Sequence, residues 1–372
     1  MPAATRMWGV CPLPAGTFSG PLAPSAVVAG AMLERMFYTA GTMDGERLFE
    51  LRRRTFDTPH FRGIEFIEVE AKSIINHVPG SYLPFNWTIN PYRGCSHACT
   101  YCFARSTHTY MDMNAGRDFE TKIVVKVNAP QLLGKELRAK RWKGEHIAMG
   151  TATDPYQRAE GRYKIMQRII ATLTSYRNPF SILTKGTLIL RDFDLLVDAG
   201  RVTDVATAFS IPTLNADAWR KTEPGTPHPR KRMEAVRKLN EAGIPCGVMI
   251  APILPGITDD VAGMKEVVRA AVDAGATYVT SILLHLRPGV KEVYMSWLGE
   301  TYPELVPKYE SMYPSAYASK AEQNEISRRV AGMVNAAGGI KKPPPHRRAR
   351  SESHGHAERA ERRARPEQLK LI

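Results

Sequence analysis

Residues 146–186 read HIAMGTATDPYQRAEGRYKIMQRIIATLTSYRNPFSILTKG. The stretch opens and closes on two short, nearly continuous apolar runs, 146–150 and 180–184. That is how strands buried on both faces read. Between them GRYKIMQRIIATLTSY places Tyr163, Met166, Ile169, Ile170 and Leu173 on one side of a helix. A strand, a helix and a second strand in succession predict a parallel pair joined by a right-handed crossover. Each strand runs into a polar turn, Thr151-Ala152-Thr153-Asp154 after the first and Thr184-Lys185-Gly186 after the second.

The same alternation extends both ways. Further apolar, β-branched runs occupy 85–90, 202–209, 246–251 and 278–284. Helical segments lie between the later ones. The segment 229–243 runs from Pro229 to Gly243, and 258–275 opens with a Thr258/Asp259 cap and closes at Gly275. Six strands in this order predict an α/β fold, a partial (β/α)6 TIM-like barrel two strands short of closure. Two more strand-like runs, 63–69 and 122–127, fall outside the alternation. The expected organisation is a partly disordered extension over 1–60, one core domain over 61–310, a helical segment over 311–340 and a disordered basic tail over 341–372.

The whole chain has 372 residues and a formal charge of +14. At 43% hydrophobic and 24% charged residues it has the composition of a folded globular protein, which excludes wholesale disorder. No apolar stretch reaches the ~18 residues of a spanning helix, so no membrane partner is expected. The Ala-, Gly- and Pro-rich start lacks a basic segment followed by an unbroken apolar core, so it reads as no secretion signal. Met32, Met36 and Met43 are alternative starts. The last 32 residues hold ten Lys/Arg against four Glu, with too little apolar mass to offset their ordering entropy. Such a tail suits either a solvated terminus or electrostatic attachment to nucleic acid. A further group of cations, Arg220, Lys221, Arg230, Lys231 and Arg232, clusters around the loop after the fourth strand and is positioned to guide a polyanion.

Five cysteines are present, three of them within NPYRGCSHACTYCFAR at 90–105. Cys95, Cys99 and Cys102 are too close together for a disulfide framework, and a reducing, cytoplasmic setting is expected. Three converging thiolates suit a soft inorganic centre. A zinc site would need a fourth ligand, for which His97 is available, whereas a [4Fe–4S] cluster on three cysteines leaves one iron open. Three unrelated buried cysteines are the remaining alternative.

The C-x3-C-x-aromatic-C pattern, with Tyr101 as the aromatic, resembles the radical S-adenosylmethionine (SAM) superfamily. The succession NPYRGCSHACTYCFAR, GTATDPYQRAE, ILTKGTLILRD, FSIPT and GVMIAPILPG resembles, more narrowly, the group related to spore photoproduct lyase. The resemblance covers roughly 62–300. It implies an enzyme in which Cys95, Cys99 and Cys102 hold a [4Fe–4S] cluster and carry catalysis, reductively cleaving SAM to a 5′-deoxyadenosyl radical. A flavodoxin or ferredoxin-type reductant is implied as partner. Thr153 and Asp154 would meet the SAM amino group and ribose, Lys185 its carboxylate, Ser210 the ribose or methionyl part, and Ala251 and Tyr101 the adenine. His285 and Arg287, at the end of the sixth strand, face the same mouth, and Arg93, His97, Glu160 and Arg162 surround it without individual roles.

The resemblance implies lyase-like action on DNA or RNA, but two features depart from it. The turn GTATD has no hydrogen-donating cysteine, and Phe103 stands where the group has a second tyrosine beside the cluster. Cys246 reads as a small buried hydrophobe of the fifth strand, and Cys11 lies in the N-terminal extension. Three functions follow: a radical SAM enzyme acting on nucleic acid, one modifying a peptide or small molecule, and a zinc-stabilised nucleic-acid-binding protein without catalysis. With no further cysteine pair, a second cluster is not expected.

Overall fold

A computed structural model of the chain describes residues 52–78 and 83–340. The readings of the N-terminal extension up to residue 51, its alternative starts and Cys11, and of the tail 341–372 lie outside those residues. Eleven strands are present among the described residues: β1 (Arg52–Thr55), β2 (Glu65–Val69), β3 (Ile75–His77), β4 (Trp87–Ile89), β5 (Tyr92–Arg93), β6 (Lys122–Lys126), β7 (Ile147–Met149), β8 (Phe180–Thr184), β9 (Val205–Ser210), β10 (Cys246–Ile253) and β11 (Val279–Leu283).

The six expected strands pair in parallel in the order β4-β7-β8-β9-β10-β11. The short β3 adds antiparallel to the β4 edge, and the two edges of this seven-stranded sheet do not meet. The runs outside the alternation pair with each other: β2 and β6 are parallel neighbours in a separate sheet ordered β1-β2-β6-β5. β1 extends order into the segment before residue 61, where Arg53 pairs with Glu65.

One face of the large sheet is apolar because helices cover it. Phe180, Ile182, Val205, Phe209, Val248 and Ile250 point that way and join Ile169, Ile170, Leu239 and Val267 in the core. The alternate residues face inward, and the pairing registers set them level with one another. Ala148, Ser181 and Ala206 form one layer, Leu183, Ala208 and Gly247 the next. Ser210, Met249 and Thr280 follow above them. A closed barrel fills its centre with bulky branched side chains. Small residues alternate here with Leu183 and Met249, and the Tyr278 ring packs over Gly247.

Three local readings are corrected. The helix expected after β7 is two helices, Arg158–Tyr163 and Ile165–Ser175, broken at Lys164 with φ 51°. The break lets the buried Glu160 carboxylate accept the amides of Ile165 and Met166 at 3.0 and 3.1 Å. The helix after β10 starts at Val261, and its cap is Asp260, whose carboxylate accepts the Gly263 amide, rather than Thr258 or Asp259. Val202 ends the helix Phe193–Val202 instead of starting β9. Beyond β11, helix Lys320–Ala336 opens on a Ser319/Glu322 capping box and packs Ile326, Val330 and Met333 into the main core.

Candidate active site

The chain leaves β5 at Gly94, whose φ of 78° leads into the loop carrying the three cysteines. A side chain there would lie 2.9 Å from the His108 ring and 2.8 Å from the Lys122 carbonyl, so glycine is required by space as well as by φ. Cys95 and Cys99 are buried and Cys102 is half-buried. Burial pushes the thiols of Cys95 and Cys99 up, and the neighbouring charges, Asp154 at Cys95 and Glu223 at Cys99, act in the same direction. Cys95 is also raised by Cys102 and Cys99, and Cys99 by Cys102. Without a metal they hold protons, and a metal centre would take them as thiolates.

Several elements distant in sequence fix this loop. Gln157, fully buried, accepts the Ser96 amide at 3.0 Å and donates to the Gly94 carbonyl at 2.8 Å. The buried Arg105 guanidinium donates twice to the Cys99 carbonyl, at 3.0 and 2.9 Å, and reaches Ala115, Gly116 and Glu120. From the connection between β9 and β10, Thr222 accepts the Thr100 amide and Gly225 donates to the His97 carbonyl, both at 3.0 Å. A Cβ on Gly225 would collide with the Ser96 carbonyl. None of Gln157, Arg105 or Gly225 was assigned a role from sequence. Gln157 and Arg105 lie inside the quoted motifs, but nothing in local spacing marks them.

The turn after β7 faces the loop. Asp154 accepts the Thr184 hydroxyl at 2.6 Å, the Tyr156 amide at 2.9 Å and the Lys185 amide at 2.6 Å, with His97 Nδ1 at 3.3 Å. Burial works to raise its carboxyl, but His97 and the hydrogen bonds hold it below the usual range. His97 is thereby engaged with Asp154, and among the described residues no group of three His, Cys, Asp or Glu side chains closes on a single ion. Thr153 spends its hydroxyl on the Tyr92 carbonyl at 2.8 Å.

After β8 the Lys185 ammonium lies 2.9 Å from Glu223 Oε1, beside the Ser210 hydroxyl and 5.6 Å from the centre of the Tyr101 ring. Ser210 donates to the Ala251 carbonyl at 2.6 Å. Tyr101 donates to the same Glu223 carboxylate, which also meets Arg232. Burial alone would raise Glu223, but Arg232 and Lys185 bring it down to about 2. The structure thus joins Tyr101, Lys185, Ser210 and Ala251 into one contact group at the C-terminal ends of β8, β9 and β10, the active-site end of such folds.

Other expected residues go elsewhere. Glu160 is enclosed with Tyr92 and Arg191, a buried ion pair behind the turn. Burial raises its carboxyl against the hydrogen bonds from Tyr92 and Arg191. Arg162 lies over the Phe56 ring at 4.9 Å, away from the mouth. Arg93 is half-buried on β5, and desolvation lowers its pKa. His285 and Arg287 do stand at the end of β11, but both engage Tyr317. The His285 ring packs edge-on to it, and Arg287 donates to its hydroxyl at 3.1 and 2.8 Å. Desolvation, with Arg287 and Lys320 beside it, lowers His285 to about 4. The grouping of cations after β9 is corrected: Arg232 is fully buried, Arg230 pairs with Glu266 and Lys221 with Asp217. Burial inside a charged contact group is not visible to a count of lysines and arginines. Cys246 packs among the outward-facing core residues, as its place in a buried strand predicts.

Residues 89–268 match the family model of the radical SAM superfamily. The chain belongs to the radical SAM superfamily. It is 43% identical over 301 residues to the uncharacterized protein Rv2578c of Mycobacterium tuberculosis, covering 80% of this chain and 88% of that one. It is 28% identical over 275 residues to the uncharacterized protein MJ0683 of Methanocaldococcus jannaschii, covering 73% and 93%. The fold is similar to spore photoproduct lyase complexed with dinucleoside spore photoproduct, with a TM-score of 0.56 at 15% identity, over 78% of this chain and 85% of that one. A variant of that lyase holding AdoMet and the dinucleoside gives the same TM-score at 16% identity. As a radical SAM protein the chain is an enzyme that binds a [4Fe–4S] cluster and cleaves SAM reductively, with electrons from an external reductant. No helix among the described residues is long and apolar enough to cross a membrane.

Proposed function

We propose that Cys95, Cys99 and Cys102 are the three cluster ligands and that SAM lies against Tyr101, Lys185, Ser210 and Ala251. The observation that carries this reading is the contact group of those four residues beside the cysteine loop, at the C-terminal end of the parallel sheet. Cluster and SAM together supply one-electron, hydrogen-abstracting chemistry. The chain's own residues bind and orient. Lys185 supplies a point charge for the SAM carboxylate. Thr153 and Asp154 shape the turn, since their side chains are already taken, and leave its main-chain carbonyls to meet an ammonium group. The small inner-face residues Ala206 and Ala208 leave room for substrate above the floor, where His146 meets Ser181 at 2.8 Å, while the Tyr278 ring fills the space over Gly247.

The substrate in this reading is nucleic acid, and the reaction is a lyase-like repair or modification. The charge of +14 and the fold likeness to a lyase bound to a dinucleoside support it. A flavodoxin or ferredoxin-type protein is the reductant, and the setting is cytoplasmic. A peptide or small-molecule substrate is the second reading, favoured by a specific observation: no cysteine stands in the turn after β7, and Cys246 faces the helices. The test has two parts. Anaerobically reconstituted protein should release 5′-deoxyadenosine from SAM under a reductant, and triple replacement of Cys95, Cys99 and Cys102 by Ala should abolish it. Titration against DNA and RNA at several salt concentrations separates the substrates. Tight binding that weakens steeply with salt supports nucleic acid, and millimolar binding at low salt rejects it.

A further inference from the structure

Around Glu223 the described residues hold one carboxylate and two cations. Lys185 meets Oε1 at 2.9 Å and Arg232 meets Oε2, and no other carboxylate among the described residues lies within ion-pair distance of either cation. The three are nearly sealed from solvent, with side-chain exposures of 14% for Lys185, 3% for Glu223 and 0% for Arg232. Two positive charges and one negative leave the group with one positive charge in excess, and a buried excess charge is costly unless a partner arrives.

Arg232 is shut off from that partner by complete burial, and four of its five N–H groups are taken. Its Nε donates to the Pro227 carbonyl at 2.8 Å, one terminal nitrogen donates to the Ser210 carbonyl at 3.0 Å, and the other serves Thr226 and Glu223. Lys185 has three protons and two hydrogen-bonding partners, Glu223 and the Ser210 hydroxyl, so one N–H stays free. A lysine on a flexible four-carbon stem would otherwise sample many positions. Here the carboxylate holding it is itself gripped from the far side by Arg232, with the Tyr101 hydroxyl on the same oxygen.

We infer that Glu223, locked by Arg232, is a positioning residue for SAM: it fixes the Lys185 ammonium with its third proton free for the SAM carboxylate. The excess charge is then neutralised when that carboxylate binds. This rests on the reading of Lys185 given above and goes beyond it, because neither Glu223 nor Arg232 touches SAM in it. Through Tyr101 the same carboxylate ties the SAM-binding contact group to the cysteine loop.

The test separates charge from position. Glu223→Gln combined with Arg232→Gln keeps the net charge of the group but removes the grip on Lys185. SAM affinity is measured by calorimetry on anaerobically reconstituted protein, beside Lys185→Ala, with iron content and melting temperature recorded for each. The expected result is a loss on the order of tenfold or more for the double variant, the worth of one charge-assisted hydrogen bond, with wild-type iron content. Decarboxylated SAM should bind wild type and double variant alike, a result that a general structural defect would not give. If the double variant binds SAM as wild type does while Lys185→Ala is weakened, the positioning role is wrong. If Lys185→Ala also binds normally, the reading of Lys185 falls and the inference with it. Should the double variant not fold, Glu223→Asp keeps the charge and shortens the reach by one methylene. Weakened SAM binding with full iron supports the inference, and wild-type affinity overturns it.

Discussion

Gln157 gives the sharpest test of how the cysteine loop is held. The side chain is fully buried and makes two hydrogen bonds with the loop backbone, accepting the Ser96 amide at 3.0 Å and donating to the Gly94 carbonyl at 2.8 Å, with the Ser96 hydroxyl a longer third donor at 3.4 Å. Gln157→Leu nearly conserves volume, so the change opens little cavity and its cost falls on the two orphaned backbone groups. A buried group left without its partner costs roughly 1–3 kcal/mol, so the pair sets a loss of about 2–4 kcal/mol once some relaxation toward water is allowed. In a domain of this size each kcal/mol lowers the melting temperature by roughly 2 °C, and a fall of about 4–8 °C is expected. The assay is thermal unfolding of cluster-free protein, paired with iron and sulfide determination after reconstitution. Gln157→Glu keeps an acceptor for the Ser96 amide and sets an oxygen against the Gly94 carbonyl, so it should fall between wild type and Gln157→Leu in both readouts. A Gln157→Leu protein that melts within about one degree of wild type and takes up full iron would refute the reasoning.

Gly225→Ala places a Cβ against the Ser96 carbonyl and 2.9 Å from His97 Cα, backbone that cannot swing aside, so iron uptake should drop with a stability loss of about 1–3 kcal/mol by chemical denaturation. Glu223 sits at about 2 against an ordinary 4.5, so its folded pKa is depressed and its stabilisation is present above the unfolded value. That stabilisation, about 3 kcal/mol, should be lost as pH falls from about 4.5 through about 2; denaturant titrations across this window should show the loss in wild type and a smaller one in Glu223→Gln. Single replacements of Cys95, Cys99 or Cys102 by Ala should abolish the brown iron–sulfur absorption, whereas Cys246→Ala should retain it, because that thiol packs with the outward-facing core; bleaching by Cys246→Ala would contradict the assignment.

Much of this arrangement could be read along the chain. Six parallel strands and the helices between them follow from periodicity, since whether a strand is buried on both faces is written in consecutive residues. The cysteine loop was legible for the same reason: its three thiols lie within eight residues, and Lys185, Ser210 and Ala251 each end a strand whose position was already known. A break at Lys164 was not legible, because it serves a carboxylate buried by Tyr92 and Arg191 from other elements.

The sequence by itself determined the succession of the six parallel strands along the chain, the local chemistry of the cysteine loop and the end of the sheet where a site would lie, because each is written in near neighbours. Tertiary structure alone decided what holds that loop and that lysine. Ser96 meets Gln157 across 61 residues and Tyr101 meets Glu223 across 122, separations over which no periodicity carries information. The same contacts changed the meaning of Arg232, from a solvated cation to the buried anchor of Glu223. Charge is a property of a residue, but its energetic role is set by what surrounds it, and only the folded chain supplies the surroundings.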